Sequence, residues 1–143
     1  AVTLAPEEPL YHFQVARLLR EARTEFEQSG EWTRAAVEKA MVEGFRKASE
    51  LAPDSLIFAY AYGEAAYEVE APDWEAALAV WRSIAARLEV PVEVQTIRIH
   101  EARVLAKLGR RDEARALLEG ISEARLQEEK QKRIAELTEG GEK

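Results

Sequence analysis

The sequence predicts an all-α fold of about seven helices joined as successive hairpins, with at least about 65% of the residues helical and no sheet. Three observations carry this prediction. Alanine, leucine, glutamate and arginine, all strong helix formers, dominate the chain. Apolar residues recur at three-to-four spacing, and no useful stretch alternates with period two. Glycine and proline fall almost wholly between the periodic segments, where they stop helices.

The first helix is expected from about Pro9 to Gln28, with Val15, Leu18, Leu19, Ala22 and Phe26 as its apolar stripe. Ser29-Gly30 ends it, because glycine tolerates the left-handed turn after a helix. The second runs from about Trp32 to Leu51, with Val37, Met41, Phe45, Ala48 and Leu51 inward, and Pro53 stops it. Asp54 or Ser55 caps the third, which reaches about Val69. Pro72 breaks the chain, and Asp73 caps a fourth helix with Trp74, Ala77, Trp81, Ile84 and Leu88 inward. The fifth spans Pro91 or Val92 to Leu108, with Val94, Ile97, Val104, Leu105 and Leu108 inward, and Gly109 ends it. A short sixth covers about Asp112 to Glu119 with Ala114, Leu117 and Leu118, and Ser122 caps a polar seventh reaching Leu137. Only Leu126, Ile134 and Leu137 of that last helix are spaced to pack, which suits a C-terminal capping helix; Gly140-Gly141-Glu142-Lys143 reads as a frayed tail.

A chain of 143 residues fits one domain, 1–143, that can bury a core without a disulfide or a metal. The absence of cysteine removes disulfides, thiolate nucleophiles and cysteine metal sites, and it suits cytoplasm and periplasm alike. The chain starts at Ala1 rather than Met, which fits a processed chain or part of a larger one. No signal-peptide pattern opens it, and no apolar run approaches the roughly 20 residues that span a bilayer, so no membrane insertion is expected. A net charge of −7 argues against nucleic acid and anionic membrane as partners. That charge is uneven: residues 1–72 carry 13 acidic and 7 basic groups, whereas residues 73–143 carry 14 and 13. Arg98 to Arg115 is a basic stretch, read either as a solvated helix surface or as a patch for an acidic partner.

Internal self-similarity is the strongest signal. Leu4-Ala5-Pro6 returns as Leu51-Ala52-Pro53 before a helix, and Gly30-Glu31-Trp32-Thr33-Arg34-Ala35 returns as Gly109-Arg110-Arg111-Asp112-Glu113-Ala114 at a hairpin turn. The hairpins are expected over about 9–51, 54–89 and 92–121, with the capping helix at 122–138. In this pattern the chain resembles the tetratricopeptide repeat (TPR) family, whose 34-residue repeat carries W-x2-L-G-x2-Y, then A-x3-F, then proline. Ala16-x2-Leu19, Ala102-x2-Leu105 and Gly63 stand at first-half positions. Met41-x3-Phe45, Ala76-x3-Val80 and Ala114-x3-Leu118 stand at second-half positions. Small residues there let paired helices approach closely. The resemblance covers about residues 5–121 and implies a right-handed solenoid of helical hairpins. Pro6 to Pro53 is 47 residues, longer than one repeat, and the excess lies on both sides of Gly30. An extra seven residues is about two helical turns. Two added turns in each arm keep the same faces in contact and elongate the first hairpin.

No catalytic constellation is present: His12 and His100 stand in different units outside any metal-binding motif, no serine stands in GxSxG, and no phosphate-binding loop occurs. The expectation is therefore a non-enzymatic protein with no cofactor and no metal. The resemblance implies a concave groove lined by the first helix of each hairpin. Phe13, Arg17 and Arg20 would face it from the first unit, Tyr60, Glu64 and Tyr67 from the second, and Ile99, Arg103 and Lys107 from the third. Aromatics supply rigid contact area and arginine planar hydrogen bonding, so this strip suits a peptide or protein segment that is apolar in its middle and acidic at its ends. The lysine–asparagine constellation that chaperone-binding relatives use for a carboxylate terminus is not visible. The leading expectation is a protein- or peptide-binding adaptor. The alternative is a self-assembling, homo-oligomeric structural module of a larger complex.

Overall fold

In the computed structural model, which describes residues 7–30 and 32–141, the chain is all-α: 80% is helical, and no strand occurs among the described residues. Eight α-helices follow in order among the described residues: α1 (Pro9–Glu21), α2 (Arg23–Gln28), α3 (Arg34–Leu51), α4 (Leu56–Ala65), α5 (Trp74–Arg87), α6 (Pro91–Lys107), α7 (Arg111–Glu119) and α8 (Gln127–Gly141). Short 3-10 turns occupy 66–68 and 124–126. The eighth helix arises because the first expected arm is interrupted at Ala22, whose φ of −100° and ψ of 14° leave the helical region for one residue. Hydrogen bonds still run through the break, from Ala22 N–H to the Leu18 carbonyl (2.9 Å) and from Phe26 N–H to the Ala22 carbonyl (3.0 Å). None of the described helices is long and apolar enough to cross a membrane. Leu4-Ala5-Pro6, one half of the repeated joint, lies outside the described residues.

Contacts divide the chain into two compact units, Ala1–Pro72 and Asp73–Lys143. The segment expected as the second hairpin, 54–89, spans that boundary, with α4 in the first unit and α5 in the second.

In the first unit, α1 and α2 pack along α3, and α4 packs on α3 as well. Thr33 caps α3 by accepting the Ala36 N–H, and Ser55, rather than Asp54, caps α4 by accepting the Phe58 N–H. Gly30, at φ +77°, makes the left-handed turn between α2 and α3. The core holds Ala16, Leu19, Val37, Met41, Phe45 and Ala65, with Phe13, Phe26, Ala61 and Tyr62 packed against it. The buried stripe of α1 thus passes through Phe13, Ala16 and Leu19. Val15 and Leu18, expected inward, are exposed at 38% and 59%, and Leu51 at the end of α3 is exposed too. At the centre of the α1–α3 contact stands Gly44, where a Cβ would meet the Ala16 Cβ at 2.8 Å and the His12 carbonyl oxygen at 3.0 Å.

One buried acid ties the same unit together. Glu38 pairs with Arg34 (3.1 Å) and Arg23 (3.6 Å) and accepts the Glu70 N–H (2.9 Å). Burial raises its pKa, but the Glu70 N–H and the two arginines outweigh that, and the carboxyl sits below its ordinary range. Arg23 also donates to the Glu68 carbonyl oxygen (2.9 Å), so α2, α3 and the end of the unit meet at one polar knot.

In the second unit, Asp73 caps α5 through the Ala76 N–H. Gly109, at φ +80°, closes α6: the Arg110 N–H bonds the Leu105 carbonyl (2.9 Å) and the Gly109 N–H the Ala106 carbonyl (3.1 Å), the paired bonds of a Schellman motif. Trp81, Leu105, Val104 and Leu118 are fully buried. Glu101 is the second buried acid, held by Arg98 (3.1 Å) and Arg82 (3.5 Å). Ser122 does not cap a helix. Its N–H and that of Glu123 donate to Gln95 Oε1 (both 2.9 Å), while its hydroxyl accepts from Gln95 Nε2 (3.0 Å). The chain therefore runs through the 3-10 turn before α8 begins at Gln127. Helix α8 continues through Gly140 to Gly141, where a frayed tail is expected from sequence; Glu142 and Lys143 lie outside the described residues.

Two stability outcomes follow from this packing. Gly44→Ala forces backbone or Cβ contacts apart. The overpacking cost of about 1–3 kcal/mol should exceed the gain of up to about 1 kcal/mol in helix propensity, lowering the melting temperature. Adding Ala16→Gly should recover part of the loss; a Gly44→Ala protein that melts higher than wild type would disprove the close approach. Phe45→Ala and Trp81→Ala should each cost about 3–5 kcal/mol in urea unfolding, and losses below about 1 kcal/mol would place these side chains outside the core.

Candidate functional site

The expected groove residues divide between the units. Five of them, Phe13, Arg17 and Arg20 from α1 and Tyr60 and Glu64 from α4, line one open cleft of about 540 Å³ in the first unit. Leu56, Ile57 and Ala61 complete its lining. Tyr67 stands on the 3-10 turn after α4 and is not part of this lining. Arg103 and Lys107 lie on α6 in the second unit, and Ile99 there is buried, so its side chain is packed rather than presented to a ligand. The cleft is built without these three.

Local sequence positions each wall. On α1, residues 13, 17 and 20 follow helical spacing on the flank next to the buried Ala16 and Leu19. On α4, Leu56, Tyr60, Ala61 and Glu64 do the same, starting from the Ser55 cap. Phe13 joins the two helices to the core, with ring centroids 4.8 Å from Phe58 and 5.8 Å from Phe45. The guanidinium of Arg17 lies over the Phe13 ring at 5.8 Å and that of Arg20 over the Phe45 ring at 5.4 Å. Both arginines also have carboxylate partners within the chain: Arg17 pairs with Glu21 (3.6 Å) and Arg20 with Glu68 (3.7 Å). Burial, and then the neighbouring Glu68 charge, push the Glu64 carboxyl above its ordinary range, with Arg20 pulling it back.

Sequence reasoning missed Leu56 and Ile57. Helix α4 reads Leu56-Ile57-Phe58-Ala59-Tyr60-Ala61-Tyr62 without a polar face, so periodicity does not single out its exposed side. Ile57 is 71% exposed. Of the large hydrophobic side chains exposed among the described residues, all but Val90 belong to the first unit, including Tyr11, Val15 and Leu18 on the outward face of α1. That concentration marks the first unit as the one with unsatisfied apolar surface.

The two histidines stand against different aromatic rings. His12 meets the Tyr11 ring edge-on at 5.1 Å, and His100 stacks flat on Trp81 with centroids 4.0 Å apart. No group of three metal-ligating side chains occurs among the described residues. Burial, followed by the charges of Arg103 and Arg133 against the opposing Glu129, lowers His100 to about 4. No family model matches the chain, and no curated protein or solved structure matches it.

The state of His100 has a measurable consequence. Its folded pKa lies below the ordinary 6.5, so the unfolded chain takes up a proton that the folded chain refuses between those values. Its contribution is complete above about pH 6.5 and fades as the pH falls toward 4, by up to about 3 kcal/mol. The His100→Gln protein should lack this part of the acid limb. Superimposable stability profiles for the two proteins between pH 4.5 and about 6.5 would remove His100 from the account.

Proposed function

We propose that the chain is a non-catalytic protein- or peptide-binding scaffold, a TPR-like stack of helical hairpins that holds a partner segment in the cleft between α1 and α4. The observation that carries this reading is the convergence of Phe13, Arg17, Arg20, Tyr60 and Glu64, drawn from two helices, on one open cleft with the exposed Leu56 and Ile57 at its side. Rigid aromatic and apolar walls with a few charged groups are what a short segment needs to be gripped and oriented. The repeat reading is supported by the burial of four of its motif pairs, Ala16 with Leu19, Met41 with Phe45, Ala102 with Leu105 and Ala114 with Leu118, while Ala76 and Val80 of the second unit are only half-buried. It is supported too by the left-handed glycines Gly30 and Gly109 at the equivalent turns. Arg103 and Lys107, on α6 of the second unit, are proposed as partner contacts of that unit.

The second reading is self-assembly, favoured by the outward apolar strip of Tyr11, Val15 and Leu18 on α1. Light scattering across a hundredfold concentration range separates the two, since only self-assembly gives a mass that grows with concentration.

Selection from a random twelve-residue peptide display library should enrich binders that lose at least about tenfold in affinity to an Ile57→Asn protein, the equivalent of about 1.4 kcal/mol. Ile57 is exposed, so the variant should fold like wild type. Failure to enrich any binder, or binders indifferent to Ile57→Asn, would remove the cleft from the proposal.

A further inference from the structure

We infer that the cleft accepts a cationic side chain, so that the partner segment presents a lysine or arginine flanked by apolar residues, with its charge against Glu64. This inference rests on the cleft reading above and replaces the acidic segment that the arginines suggest from sequence. The argument is one of charge pairing. Arg17 and Arg20 are already compensated by Glu21 and Glu68 and lie over the Phe13 and Phe45 rings. Glu64 lines the same cleft and forms no ion pair among the described residues. With their partners Glu21 and Glu68 counted, although neither lines the cleft, two arginines stand against three carboxylates, and the charge left without an ion pair is that of Glu64.

Burial adds to this. Glu64 is only partly exposed and carries a desolvation cost, visible in its raised pKa. A ligand ammonium or guanidinium relieves that cost, whereas a ligand carboxylate would add a third acid beside Glu64 and Glu68. The surroundings act in the same direction, because residues 1–72 carry 13 acidic against 7 basic groups and attract a basic partner at long range. Leu56, Ile57 and Ala61 then take the apolar neighbours of the cation and its methylene stem.

The probes are three fluorescein-labelled nonapeptides that differ only at a central residue between leucines: lysine, norleucine or glutamate. With the full chain, anisotropy should show the lysine peptide binding about tenfold tighter than the norleucine peptide, and the glutamate peptide weakest. Glu64→Gln should abolish the preference for lysine without lowering the melting temperature, since it removes a desolvated charge. Equal affinity for lysine and norleucine peptides, a lysine preference that survives Glu64→Gln, or no binding of the lysine peptide at millimolar protein overturns the cationic assignment. The Ile57→Asn protein separates this failure from failure of the cleft itself. If it releases all bound peptides while the lysine preference is absent, the cleft stands and its charge assignment falls. If it releases none, the peptides bind elsewhere and both fall.

Discussion

The first unit depends on how closely α1 can approach α3. With Gly44 facing Ala16, the two backbones come near enough that a single added methyl group would stand 2.8 Å from the Ala16 Cβ and 3.0 Å from a carbonyl oxygen of α1. That separation seats Phe13 against Phe45, and Phe13 in turn reaches Phe58 on α4. A wider helix pair would move Phe13, Arg17 and Arg20 together away from the α4 wall. The shape of the cleft is therefore a consequence of two small residues that do not line it. Interiors are packed densely enough that displacement of one element is transmitted rather than absorbed.

Polar side chains complete what this packing begins. Both buried acids do structural work that an apolar residue could not. Glu38 satisfies the Glu70 N–H while pairing with Arg23 and Arg34, and Glu101 holds Arg82 of α5 and Arg98 of its own helix. Breaking such pairs strands a buried charge, which is more costly than the pair is stabilising. Gln95 plays the neutral version of this role. It holds the backbone of Ser122 and Glu123, while Gln127 and Lys130 of α8 donate to the Ile121 carbonyl oxygen. These bonds fix the start of α8 beside α6, and together with the buried Ile121 and Leu137 they hold the mostly polar last helix.

Much of the fold was legible because helix ends are written locally. Gly30, Thr33, Ser55, Asp73, Pro91 and Gly109 act within a turn of their own position, and those helix ends fall at or within a few residues of where they were expected. What escaped depends on residues far apart in the chain. The apolar stripe expected on α1 includes Val15 and Leu18 as well as the buried Leu19, but the buried face turns through Ala16 instead, because a small side chain is what the approach of Gly44 permits. Ser122 looked like a cap until Gln95, 27 residues earlier, claimed its backbone. The burial of Glu38 and Glu101 has no local signal, because it is decided by arginines and an N–H that periodicity does not bring together. For the candidate site, helical spacing brings five of the expected residues to one cleft between α1 and α4, and the apolar run of α4 concealed Leu56 and Ile57.

The same distinction governs the electrostatics of the cleft. Counting charges along a sequence treats each one singly, and on that count Arg17 and Arg20 make the rim basic. Pairing is a property of two residues at once. Glu21 lies one helical turn beyond Arg17 and is foreseeable as its partner, but Glu68 reaches Arg20 from 48 positions away through the fold. Once both pairs are formed, Glu64 is the charge left without an ion pair among the described residues, and its partial burial leaves fewer waters to screen it than the exposed Arg17 has. An exposed pair such as Arg17 with Glu21 is worth little to stability, yet it still cancels the field that an approaching ligand would meet. The sign of the cleft is set by the charge left over after the fold has paired the others.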